Sequence, residues 1–130
     1  MASLLECSAE CEKYFIDNWT ATQINIPDRP FTYDGINSYI AINYYPLLNT
    51  MTGGLNGGTA CRIRAEGLVS IRCYDKTQKL SLKLADDVKT FFNNQELPKN
   101  INIGIGVDSP VIKIDSGWYE AKVSFELIQD

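Results

Sequence analysis

The stretch that most constrains the fold is residues 60–74, Ala-Cys-Arg-Ile-Arg-Ala-Glu-Gly-Leu-Val-Ser-Ile-Arg-Cys-Tyr. At a period of two, these residues divide into an apolar face and a polar face, and Leu68 is the one apolar residue on the polar face. The apolar face carries Cys61, Ile63, Ala65, Val69, Ile71 and Cys73, and the polar face carries Arg62, Arg64, Glu66, Ser70 and Arg72. Because successive side chains of a strand point to opposite sides of a sheet, this pattern predicts a long strand buried on one face. We expect Gly67, in its middle, to form a bulge or a bend.

Length and charge narrow the class of protein. A chain of 130 residues predicts one domain over residues 1–130, because a chain of this size can bury roughly two-thirds of its unfolded surface. No apolar run approaches the ~20 residues of a membrane span, and the first six residues lack the basic start and long apolar core of a signal peptide. The net charge of -4 argues against nonspecific nucleic-acid binding, which needs concentrated cations. We therefore expect a soluble protein made in the cytoplasm, with no membrane partner.

The four cysteines do not have the spacing of a metal site or of a disulfide framework. Cys7 and Cys11 share a face of a predicted helix, where the geometry does not suit a disulfide, and Cys61 and Cys73 lie far apart along one strand. No Cys-x2-Cys pair occurs and histidine is absent, so the common zinc ligand sets are missing. We expect buried, reduced thiols that act as small apolar side chains.

Two helices are predicted, each with a start signal. The first covers residues 3 to about 18, where Ser3 and Glu6 have the spacing of a capping box. The second follows the long strand, where Asp75 and Gln78 have the same spacing, and it ends at the Asn93-Asn94 pair. Both helices carry an apolar stripe, made of Leu4, Cys7, Cys11 and Phe15 in the first and of Leu84, Val88, Phe91 and Phe92 in the second.

Further strands are predicted at residues 21–27, 38–45 (ending at Pro46), 101–107, 110–115 and 118–128. Strands grouped between and after helices are typical of an α+β fold. The sequence therefore predicts a mainly antiparallel twisted β-sheet with two principal helices packed on one face.

Residues 49–59, Asn-Thr-Met-Thr-Gly-Gly-Leu-Asn-Gly-Gly-Thr, are predicted to form a mobile hairpin connection that becomes ordered on meeting a partner. A phosphate-binding loop is the alternative, but the Lys-Ser/Thr pair of a P-loop is missing and no helix follows. The candidate contact residues in this segment are Gly53, Gly54, Leu55, Asn56, Gly57 and Gly58.

The sequence offers little catalytic equipment. Without histidine there is no Ser-His-Asp or Cys-His arrangement. The adjacent Asp86 and Asp87 diverge by ~100° on a helix, and Asp108 and Asp115 stand beside turn residues that explain them. We predict that the protein is not an enzyme and has no catalytic residues, metal or cofactor.

From Trp19 onward the chain resembles the tail terminator proteins of long-tailed bacteriophages. The resemblance lies in the order of its motifs, because each motif alone is common. They are a helix ending in Asn18-Trp19, Ile-Pro-Asp-Arg-Pro-Phe at residues 26–31, the strand from Arg64 to Tyr74 with Gly67, the helix Leu-Ala-Asp-Asp-Val-Lys-Thr-Phe-Phe at residues 84–92, Asp-Ser-Gly-Trp-Tyr at residues 115–119, and a final strand with Val123 and Phe125.

The resemblance implies a non-enzymatic virion protein. Such proteins are α+β subunits that assemble as a ring, typically a hexamer, on the head-proximal end of the tail tube. The ring stops tube polymerisation and joins the tail to the head connector protein, and DNA passes through it without specific binding. The implied partners are other copies of the chain, the tail tube protein and the connector. Two alternatives remain: a head-completion or adaptor protein between portal and tail, and a non-viral α+β domain that binds a small ligand or peptide.

A ring also needs surfaces that pair between subunits. Arg62, Arg64 and Arg72 are the candidate contact residues on the long strand, because guanidinium groups form bidentate pairs with carboxylates. Simple solvation of these arginines is the alternative, as is pairing with Glu120 or Glu126 of the same sheet.

Overall fold

A computed structural model describes residues 4–26, 31, 37–52, 62–99, 101–114 and 117–129. Side chains are described for residues 6–26, 31, 37–45, 67–99, 101–114 and 117–128.

The two predicted helices are present: α1 (Leu4–Asn18) and α2 (Gln78–Phe92). The predicted start of α2 is wrong by two residues, because Thr77 is its N-cap and accepts a hydrogen bond from the amide of Leu80 at 3.2 Å. Asp75 instead accepts from the amide of Lys76 at 2.7 Å, before the helix begins. The predicted C-terminal end is confirmed, since Asn93 is the C-cap of α2. Ser3, the predicted cap of α1, lies outside the described residues.

Among the described residues, the strands form one sheet in the order β1-β2-β3-β8-β5-β4, and β6 and β7 also pair with β8. Of the strand pairs that the structure describes, only β1–β2 is parallel. The predicted α+β class with a mainly antiparallel sheet is therefore confirmed. The strands are β1 (Gln23–Asn25), β2 (Tyr39–Thr52), β3 (Arg62–Asp75), β4 (Glu96–Leu97), β5 (Ile101–Ile103), β6 (Val107–Asp108), β7 (Ile112–Lys113) and β8 (Tyr119–Gln129).

The long predicted strand is β3, and it lies between β2 and β8. Val69, Ile71 and Cys73 are fully buried on its apolar face, as the alternation predicts. Gly67 does not form the bulge. The extra residue is in β2, where Pro46 pairs with Gly67 and Leu48 with Glu66. A Cβ at Gly67 would lie 2.6 Å from the Oη of Tyr44, so a larger residue there requires the Tyr44 ring to move.

Strand β2 is longer than the sequence predicts. It continues through Pro46 to Thr52 and pairs with β3 throughout, apart from the bulge at residue 47. Proline is tolerated at an edge, where its missing amide is not needed for a ladder bond. Residues 49–52 of the predicted connection are therefore strand, and residues 53–59 lie outside the described residues.

The chain from β5 to β7 forms one interrupted edge along β8. Residues 101–103 pair with 127–129, residues 107–108 with 123–124, and residues 112–113 with 119–120. The predicted strands in this region are thus shorter than expected. Lys89 of α2 forms an ion pair with this edge, because its Nζ lies 2.7 Å from Asp108 Oδ2. The same Nζ lies 3.4 Å from Asp86 Oδ1 within α2.

The core lies between the helices and one face of the sheet. The ring of Phe92 meets that of Phe125 on β8 at 5.0 Å between centroids, and it meets Phe15 of α1 at 4.8 Å. Phe91, on the predicted apolar stripe of α2, contacts Phe15 at 5.0 Å and Trp19 at 5.2 Å between ring centroids. The aromatic residues of α2 therefore join both the sheet and α1.

Three cysteines belong to this core. Cys7, Cys11 and Cys73 are free and buried, as predicted, and Cys61 lies outside the described residues. Burial raises the pKa of the Cys73 thiol to about 12 and also raises the pKa of Cys11. These thiols are therefore neutral near pH 7.

We expect Leu84→Ala to lower the free energy of unfolding by ~2–5 kcal/mol, the range for emptying a buried leucine site. Leu84 is 6% exposed, and Leu82, two residues earlier on the same helix, is 43% exposed. Urea unfolding of both alanine variants is the measurement, with Leu82→Ala as the control. Equal losses in the two variants would contradict this assignment of the buried face of α2.

Candidate interaction surface

The sheet has a second face, opposite the helices, which we call the helix-free face. The register defines this face, because the residues of β2, β3 and β8 that alternate with the core residues point away from the core. Neither α1 nor α2 packs on it, since their buried residues join the core on the other side. Its residues are Tyr39, Ala41, Asn43 and Tyr45 of β2, Leu68, Ser70, Arg72 and Tyr74 of β3, Glu120, Lys122, Ser124 and Glu126 of β8, and Val107 and Ile112 at the edge.

Arg72 is half-buried in this face and is paired within the chain. Its Nε lies 3.8 Å from Glu120 Oε1, and the side chain of Glu120 is only 17% exposed. Arg72 is directly opposite Lys122, so its partner Glu120 is a diagonal neighbour across the strands. The Arg72 Nε makes no hydrogen bond with any residue that the structure describes. This pair matches the alternative in which the arginines of β3 pair with Glu120 or Glu126 of the same sheet.

An aromatic cluster lies next to this ion pair. The rings of Tyr39 and Tyr74 stack with 4.6 Å between centroids, and Trp118 lies 6.4 Å from Tyr39. The Nζ of Lys76 is 5.8 Å from the Trp118 ring centroid, close enough for a cation–π interaction. Tyrosine, tryptophan and arginine are the residues most enriched in binding hot spots. No local sequence motif marks this cluster, although strand alternation puts Tyr74 on the same face as Arg72 and the register pairs Tyr39 with Tyr74.

The centre of the helix-free face differs from the prediction. Ser70 was expected on the solvated side, but it is fully buried between the flanking Asn43 and Ser124. Its Oγ has no hydrogen-bond partner among the described residues. A short side chain between two flanking strands is shielded by its neighbours even though no helix covers it.

Along β3, Arg72 is separated from the other two predicted arginines. Arg62 and Arg64 have the same strand parity as Arg72, but Arg64 is eight residues away, or roughly 26 Å along a strand. They also lie beyond the last pair between β3 and β8, which is Ala65 with Gln129. The other predicted residues, Gly53, Gly54, Leu55, Asn56, Gly57 and Gly58, lie outside the described residues.

The helix side has open pockets of modest size. One of about 180 Å³ lies between α1 and the segment Leu97–Pro98, and another of about 190 Å³ lies between residues 21–22 and the first half of α2. Within the described ranges, no three His, Cys, Asp or Glu side chains are grouped to hold a metal ion. Neither α1 nor α2 is long and apolar enough to cross a membrane.

The raised pKa of Tyr74 predicts that the protein loses stability at alkaline pH. Burial, with a smaller contribution from the charge of Glu120, raises the pKa of Tyr74 to about 12, while Arg72 opposes the rise. The unfolded-state pKa is ~10, so the stabilising contribution is complete below pH ~10 and is lost as pH rises towards 12. We expect Tyr74→Phe, which keeps the ring, to make the fall in unfolding free energy between pH ~10 and ~12 less steep. Denaturant unfolding at several pH values measures this, and identical slopes in both proteins would contradict it.

Comparisons with known proteins reveal similarity in structure alone. No family model matches the chain, and no curated protein sequence matches it. One solved structure, which carries a sequence identifier in place of a descriptive name, aligns over 98% of this chain and 94% of its own, with a TM-score of 0.67 and 11% identity. A chain from the virion of a native gene transfer agent particle aligns over 93% of this chain and 92% of its own, with a TM-score of 0.55 and 8% identity. These similarities show that the fold recurs, over nearly its whole length, in those two proteins.

Proposed function

We propose that this protein is a non-enzymatic virion structural protein that acts as a tail terminator. Its subunits form a ring, typically a hexamer, that caps the phage tail tube, stops its polymerisation and joins it to the head connector. The observation that carries the proposal is the similarity to a chain of the gene transfer agent virion, which extends over 93% of this chain. The ordered motifs from Asn18-Trp19 to Phe125, which resemble those of tail terminators, support the terminator among the virion roles.

The surface supports a role in assembly. The helix-free face combines a stacked tyrosine pair with a half-buried ion pair, Arg72–Glu120, and carries apolar side chains at its edge. Such a mixed aromatic and polar composition is typical of protein interfaces. We propose that this face, together with Arg62, Arg64 and the glycine-rich residues 53–58, contacts neighbouring subunits or the tail tube.

A head-completion or adaptor protein between portal and tail is the second candidate, because the same virion similarity supports it equally. The position of the protein in the particle distinguishes the two roles. Imaging of virions that lack the protein is therefore informative: a terminator defect gives tails of irregular length, whereas an adaptor defect gives normal tails that do not join heads.

The contact role of the arginines is tested by charge reversal. We expect Arg64→Glu to leave the fold intact, because its strand position lies beyond the end of β8, and to weaken self-association by at least about tenfold. Lys83→Glu is the matched control, since Lys83 is an exposed cation on α2, on the opposite side of the sheet. Each variant is supplied to phage that lack the gene, and tail length and head joining are scored by electron microscopy.

Two results would count against the proposal. If Arg64→Glu folds and restores joined tails of defined length as well as Lys83→Glu does, Arg64 is not in the interface. If phage without any copy of the protein already make normal joined tails, the terminator role itself is wrong.

A further inference from the structure

Among the described residues, the paired strands β2 and β3 extend beyond the other strands of the sheet. Their last three described pairs, Thr50 with Arg64, Met51 with Ile63 and Thr52 with Arg62, lie past the point where β8 stops pairing with β3. We call residues 48–52 and 62–64 the projecting ribbon. On the outer side of β2, pairing with β1 ends at Ala41, so no described strand flanks residues 42–52 there.

A ribbon of this kind has strand-pairing capacity that none of the described strands uses. Isolated two-stranded ribbons are marginally stable in water, and the unpaired amides and carbonyls of an edge are a template for another strand. The outer edge of β2 is interrupted by Pro46 and the adjacent bulge, which divides it into an inner part near β1 and the outer ribbon part.

Within the described part of the chain, the opposite edge of the sheet is also unpaired. Both β6 and β7 pair with β8, and the described residues place no strand on their outer side. Val107 and Ile112 stand on this edge and are 67% and 52% exposed. Their pairing with Ser124 and Glu120 puts them on the helix-free face. Exposed aliphatic side chains beside an unpaired edge are a combination that an added strand would cover.

The two edges cannot meet within one chain. Strands β3 and β8 lie between them, so they are at opposite lateral edges of the sheet, roughly 14 Å apart at ~4.8 Å per strand. A contact between them therefore requires two copies. Joining unlike edges head to tail produces rings when the rotation closes, whereas joining two β2 edges gives a two-fold dimer. The two-fold dimer would also leave Val107 and Ile112 uncovered.

We propose that the projecting ribbon of one subunit pairs, by backbone hydrogen bonds along β2, with the β6–β7 edge of a second copy and covers Val107 and Ile112. This inference rests on the proposed ring, and it names the elements through which adjacent subunits join. Strand addition fixes the relative orientation of neighbouring subunits, because the backbone ladder permits only discrete registers.

Disulfide crosslinking between separately labelled chains tests the contact. In a Cys61→Ser background, one chain carries Thr50→Cys and a second carries either Val107→Cys or Ile112→Cys, while the native Cys7, Cys11 and Cys73 remain buried. The chains are mixed and assembled, alone or on purified tail tubes, and then mildly oxidised. We expect a covalent dimer from at least one pairing, and a ladder ending at the ring size when one chain carries both substitutions. Lys83→Cys replaces the edge cysteine in the control and should yield no dimer.

Light scattering on the same samples separates this inference from the proposed function. If rings form and neither edge cysteine crosslinks above the Lys83→Cys control, the ribbon contact is overturned while the ring stands. If the protein remains monomeric both alone and with tail tubes, the ring and the ribbon contact are both overturned. As an independent check, the double variant Val107→Lys/Ile112→Lys should keep the circular dichroism spectrum of the monomer and abolish assembly. Normal assembly of that variant would overturn the contact.

Discussion

Strand β3 lies between β2 and β8, and both neighbours pair with it over most of its length. Its fully buried apolar residues, Val69, Ile71 and Cys73, form the middle of the surface on which α2 packs. Alternation in this strand therefore determines which side of the sheet holds the core and which side remains without helices. A shift of one residue in its register would exchange the two faces.

The two faces have different physical roles. On the helix side, aromatic rings from α1, α2 and β8 pack together, with Phe15 and Phe92 in contact and Phe125 against Phe92. On the helix-free side, polar groups are only partly satisfied within the described chain, since the Ser70 Oγ and the Arg72 Nε lack hydrogen-bond partners there. The dense apolar core lies on the helix side, apart from these polar groups.

Local signals in the sequence predicted the helices and the central strand well, and non-local effects account for the differences. Asp75 and Thr77 both have side chains that can cap a helix, and only the chain path shows that Thr77 does so. Beyond Ala41, the described residues pair with β2 along one edge, through β3, and proline is tolerated in such an edge strand. The strand therefore continues past Pro46, which no local sequence pattern predicts. Of the candidate site, the Arg72–Glu120 pair was foreseeable from strand alternation. The Tyr39–Tyr74 stack and the burial of Ser70 depend on the register between strands that are distant in sequence.

The position of β8 has a consequence for the order in which the protein folds during synthesis. The residues that β8 pairs with on β3 precede it by 44 positions (Asp75 to Tyr119) to 64 positions (Ala65 to Gln129). The ribosome therefore releases α1, the β2–β3 hairpin and α2 before the strand that completes the middle of the sheet. Until β8 emerges, the second edge of β3 and the apolar side of α2 stay exposed, and both are surfaces that favour misassociation of nascent chains. The sheet is therefore completed late in synthesis. It depends on contacts between residues far apart in the sequence, which form slowly.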